Sequence, residues 1–140
     1  MSKVINTESP AVRRQKILRL IAIIVNQLGS VEQTRSEIND QIAFIYLSLI
    51  EIEKTIKATL KPWEKRDYWV KADKFRAEWL WVGEIRRSLK IRQLDSGWLS
   101  IPDEIASLAK KLTGVEPIKR FKNEKFWIGA YQRMISVNSS

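Results

Sequence analysis

Residues 61–92 hold ten Lys or Arg, five Asp or Glu, and the four tryptophans Trp63, Trp69, Trp79 and Trp81. This combination suits a polyanion with flat faces, because cations neutralise phosphates and indole rings stack on bases. The same chain has no histidine and no cysteine. That removes the commonest general base, the thiol nucleophile and the usual zinc ligands together. Catalysis would have to rest on carboxylates, Lys, Ser or Tyr. Glu51 and Glu53 are two apart on a helical stretch and so face different directions. Asp73, Glu78 and Glu84 alternate with Lys74, Arg76 and Arg86, a pattern that ion pairing explains. There is no glycine-rich phosphate loop, GxSxG or HExxH. The expectation is a non-catalytic chain that needs no cofactor or metal.

Three basic clusters are candidates for phosphate contact. Arg13, Arg14 and Lys16 stand at the start of the first helix, where the macrodipole disfavours cations. Either an anionic partner or the acidic second helix, through Glu32, Glu37 or Asp40, would account for them. Arg86, Arg87, Lys90 and Arg92 close the third helix, where the dipole favours cations but four in seven residues exceed what capping needs. Lys119, Arg120, Lys122 and Lys125 lie close to Phe121, Phe126 and Trp127, and phosphate binding or a solvated basic face would explain them equally.

The tryptophans divide by helical phase. Trp79 falls on an apolar stripe with Tyr68, Ala72, Phe75, Val82 and Leu89 and belongs to the core, whereas Trp69 and Trp127 fit either role. Trp63, Trp81 and Trp98 sit at a helix start, off the stripe and in a turn, and are the candidates for an exposed protein interface. Leu80 joins them, because with Trp81 it makes the third helix apolar on more than one side.

The elements that must position these residues are helices. The chain has 140 residues, 44% hydrophobic and 29% charged. That is most simply one globular domain. Ser9-Pro10 starts a helix ended by Gly29. Ser30 to Gln33 reads as a capping box for a second helix reaching Leu60. Its apolar positions Ile38, Ile42, Ile45, Leu49, Ile52, Ile56 and Leu60 are spaced by four and three, nearly a coiled-coil seam. Pro62 breaks the pattern or opens a third helix running to about Leu94. A short fourth helix starts at residues 100–103 and is ended by Gly114. A fifth runs from Glu116-Pro117 to about Met134, with 136–140 as a frayed tail. The predicted fold is an all-α bundle of about five helices: three long N-terminal ones and a C-terminal helical hairpin.

The formal net charge is +9. It is unevenly spread: residues 1–29 carry +4, 30–60 carry −2, 61–92 carry +5 and 93–140 carry +2. The second helix is thus the acidic inner strut. The basic balance favours nucleic acid or an anionic surface as partner. The apolar run Leu20–Val25 is too short for a membrane span and reads as a buried helix, and the lack of cysteine fits a reducing cytoplasm.

On Arg13, Arg14, Arg86, Arg87, Lys119 and Arg120, set on this five-helix pattern, the chain resembles in architecture the small helical subunits of CRISPR effector complexes. The resemblance covers the whole length and implies a subunit that docks on protein neighbours and supports RNA or DNA without catalysis. Self-association is compatible with it. The alternative from the residues alone is a helical protein–protein adaptor or assembly factor with no direct nucleic-acid contact.

Overall fold

A computed structural model describes residues 8–30, 32–98, 101–118 and 124–138. Among these the chain is all-α, a bundle of six helices: α1 (Pro10–Ser30), α2 (Arg35–Lys65), α3 (Trp69–Glu78), α4 (Leu80–Ser96), α5 (Pro102–Lys111) and α6 (Ala130–Asn138). The seam along α2 organises them. Ile42, Ile45, Leu49, Ile52 and Leu60 are buried there, and α2 packs against α1, α3, α4 and α6. α1 runs antiparallel to it, since Arg13 meets Glu51 near one end and Gln27 meets Gln41 near the other. Ile21 and Ile24 fill the interface, so Leu20–Val25 is the buried helix its composition predicts. Among the described residues no helix is long and apolar enough to cross a membrane.

Several boundaries differ from the expected ones. α1 continues through Gly29 to Ser30, and the capping box is formed later, by Thr34 and Glu37. The Thr34 Oγ1 accepts from the Glu37 amide at 3.1 Å, while the Thr34 amide donates to Glu37 Oε1 at 3.0 Å. Both sequences fit the capping template, and the one that prevails has a carboxylate at its third position, favourable at the positive helix end. Pro62 lies inside α2 rather than opening a new helix. The extra turn is held by α3: Trp63 packs edge-on against Phe75 at 5.4 Å, and Glu64 pairs with Arg76. The expected third helix is two helices, α3 and α4, separated at Trp79. α6 begins later than expected, at Ala130, and reaches Asn138, so residues 136–138 of the expected tail are helical. Its start is capped from α2, where the Asp40 carboxylate accepts from the Gly129 and Tyr131 amides, both at 3.0 Å.

The α2 cap gives a pH prediction. The Thr34 amide, the Lys125 ammonium and the Thr34 hydroxyl hold the Glu37 carboxyl below the ordinary value of 4.5. Lys54, and after it Arg13, hold Glu51 below that value against the opposing effect of burial. A carboxyl depressed in the folded state stabilises above its unfolded pKa, and that stability is lost as pH falls through the folded value. The thermal midpoint is therefore expected to drop as pH is lowered from about 6 to about 3. Glu37→Gln keeps the capping geometry but loses the charge. Its midpoint, followed by circular dichroism, is expected to fall less steeply over that range.

Candidate nucleic-acid interface

The arginines at the start of α1 are spoken for within the fold. Arg13 Nη2 is 2.7 Å from Glu51, and Lys16 pairs with Glu8. Arg14 is buried, contrary to its expected role at the surface. Its Nη1 donates to Thr55 Oγ1 at 3.1 Å and Thr59 Oγ1 at 3.4 Å, and its guanidinium lies 5.1 and 5.0 Å from the ring centres of Phe75 and Trp79. The phase of α1 turns Arg14 inward between α2 and the α3–α4 junction, so this residue is a packing element. The acidic partner that α2 gives this cluster is Glu51, about three turns beyond the carboxylates expected to serve; Asp40 caps α6, and Glu37 pairs with Lys125 at 3.3 Å.

The cluster on α4 splits. Arg86 pairs with Glu53, whose hydrogen bond raises the guanidinium pKa further. Arg92 Nε reaches the buried Glu104 at 3.2 Å. Arg87 and Lys90 point outward, and neither forms an ion pair among the described residues. Lys119, Arg120 and Lys122 lie outside the described residues.

Of the four interface candidates, Leu80 is exposed at 58%. Trp63 and Trp81 are half-buried, Trp63 under the Lys71 ammonium at 4.5 Å and Trp81 against Trp79 at 6.0 Å. Trp98 is buried, which corrects its placement on an exposed turn. Gly97, at φ 68°, folds the chain back after α4, and Trp98 Nε1 then donates to the Leu89 carbonyl at 2.8 Å. Trp127, which fitted either role, is also core.

The exposed aromatic and basic surface lies at the α2–α3 corner. α2 ends at Lys65, and the chain turns through Asp67, whose φ of 59° is a left-handed conformation that Asp tolerates better than most side chains. The Tyr68 amide closes the turn on the Trp63 carbonyl at 2.8 Å. Tyr68, Trp69 and Val70 emerge from it 49%, 50% and 85% exposed. Tyr68 therefore leaves the core stripe on which its spacing placed it. The same segment holds the exposed Lys61, Lys65, Arg66 and Lys74, none in an ion pair among the described residues. The corner's Glu64 and Asp73 are both drawn to Arg76, and with Asp67 exposed in the turn the four cations still outnumber the carboxylates left without an ion pair among the described residues. Lys57 and Lys61, at i and i+4, continue the basic stripe along α2. The signal for this corner was present in the segment's composition, but the helix break that exposes it was not.

Such a surface can hold phosphates electrostatically and offer indole and phenol faces to unpaired bases. Glu51 and Glu53 are engaged by Arg13, Lys54 and Arg86. No protein-family model, curated protein or solved structure matches this chain.

Proposed function

We propose that this protein is a non-catalytic nucleic-acid-binding subunit of a larger ribonucleoprotein assembly, contacting the phosphate backbone without reading sequence. The observation that carries this reading is the α2–α3 corner, where the exposed Lys61, Lys65, Arg66 and Lys74 form no ion pair among the described residues and share a short segment with the half-exposed Tyr68 and Trp69. Phosphate contacts position a strand but carry no base information, so binding is sequence-tolerant. The likeness to the small subunits of CRISPR effector complexes is the most specific form of this proposal, with a cytoplasmic setting. It rests on architecture and charge.

The test is fluorescence anisotropy with single-stranded and duplex oligonucleotides of varied sequence at low salt. Joint substitution Lys65→Glu, Arg66→Glu and Lys74→Glu is expected to weaken binding at least about tenfold for all sequences alike. The slope of log affinity against log salt is expected to fall by about 2 to 3. Trp69→Ala is expected to weaken single-strand binding selectively, by about 1–3 kcal/mol. Absence of binding by the parent protein at low salt would overturn the proposal.

A further inference from the structure

α4 carries a second face that the bundle leaves uncovered. Leu80, Ile91 and Leu94 are 58%, 66% and 73% exposed. At about 100° per residue all three lie within about 40° of Arg87 around the helix axis, and they extend over about 21 Å of its length. Isolated exposed leucines are ordinary, but three large apolar side chains in one helical register form a docking stripe. Beside the stripe, between α2 and α4, runs a groove of about 230 Å³. Ile56, Trp79 and Gly83 contribute to its apolar lining, Lys57 and Arg87 line it as well, and the carboxylate that lines it, Glu53, is paired with Arg86. With Lys90 one turn beyond Arg87, this flank is basic.

We infer that this stripe and groove bind an acidic amphipathic helix of a protein partner. Apolar side chains of that helix would cover Leu80, Ile91 and Leu94, and its carboxylates would meet Arg87, Lys90 and Lys57. Charge complementarity argues for this occupant over a second copy of the chain. Residue 87 is midway between 80 and 94, so in-register pairing of two α4 helices, parallel or antiparallel, sets Arg87 against Arg87 at the centre of the contact. Like charges brought together while the apolar stripe excludes water oppose that dimer. The groove shares Lys57 with the basic stripe that continues from the α2–α3 corner, but Leu80, Ile91 and Leu94 lie on α4, and the inference does not depend on nucleic-acid binding at the corner.

The experiment uses the full chain and a fluorescein-labelled designed peptide helix with leucines at alternating third and fourth positions and glutamates flanking them. A counterpart peptide carries lysines in place of the glutamates. The acidic peptide is expected to bind and the lysine peptide not to. Ile91→Asp with Leu94→Asp is expected to weaken binding at least about tenfold. Arg87→Glu is expected to reverse the preference between the two peptides, a gain that misfolding does not produce. Equal binding of both peptides, binding of neither, or no response to the substitutions overturns the inference. So does a dimer in sedimentation that Ile91→Asp dissociates, which would make the occupant a second copy. Displacement of the peptide by a single-stranded oligonucleotide would also overturn it, by showing that this face takes nucleic acid.

Discussion

Replacing Trp127 by alanine is expected to cost about 3–5 kcal/mol of folding stability, a large share of what a domain this size has. The indole is 2% exposed. Its Nε1 donates to Gln27 Oε1 at 2.9 Å, and that same oxygen accepts from Gln41 Nε2 at 3.2 Å. Gln27 in turn donates to the Glu124 carbonyl at 2.8 Å. Truncation therefore empties a buried indole site and removes one member of a polar relay that joins α1, α2 and the approach to α6. The relay has little slack, since Gln41 is fully buried and its Oε1 already lacks a protein partner. Trp127→Phe keeps most of the ring volume and loses the N–H, so its expected cost is smaller, about 1–2 kcal/mol. Urea unfolding followed by circular dichroism measures both. Trp69→Ala is the control: half-exposed and without a buried partner, it is expected to change stability by no more than about 0.5 kcal/mol. A Trp127→Ala cost below about 1 kcal/mol would mean that the core does not close around this ring.

Trp69 and Trp127 show where the sequence stops being legible. Both stand among cations and apolar residues, and local pattern supports either role for each. The seam of α2 could be read directly, because seven apolar positions spaced by four and three overdetermine one buried face. Trp98 could not be read that way, since its burial depends on Gly97 turning the chain back onto α4, a contact between distant faces. The single predicted third helix failed at Trp79 for a similar reason. A continuous apolar stripe carries no mark of a local break, and here the Trp79 ring is held by Phe75, Trp81 and the Arg14 guanidinium together. Charge was legible as a total and not as a surface. Arg13, Lys16, Arg86 and Arg92 are matched by carboxylates, while Lys65, Arg66 and Lys74 are not, and only the folded positions of Glu51, Glu53, Glu104 and Arg76 sort one group from the other.

Arg14 is the residue at which the basic-cluster reading and the structure part most sharply, and its substitutions separate the two. Burial pushes its guanidinium pKa down, and the charge of Glu78 works against that shift. The group has no ion pair among the described residues; it is held between two aromatic rings with two threonine hydroxyls as acceptors. Cation–π contacts strengthen as water is excluded, reaching about 2 kcal/mol in desolvated sites. Arg14→Ala loses both ring contacts and leaves a cavity where α1, α2 and the α3–α4 junction meet. Its expected cost is about 2–4 kcal/mol in urea unfolding. Arg14→Met fills similar space with an unbranched apolar chain and removes the cost of burying a charge, so it is expected to lie within about 1.5 kcal/mol of the parent. Thr55 tolerates the change, because its hydroxyl still donates to the Ile52 carbonyl at 2.6 Å. If Arg14 instead served phosphate, Arg14→Met would retain stability and weaken oligonucleotide binding along with the α2–α3 corner substitutions. With the proposed binding at the α2–α3 corner, the geometry predicts a different division: Arg14→Met leaves oligonucleotide affinity and its salt dependence unchanged, whereas Lys65→Glu, Arg66→Glu and Lys74→Glu leave the fold intact and weaken binding.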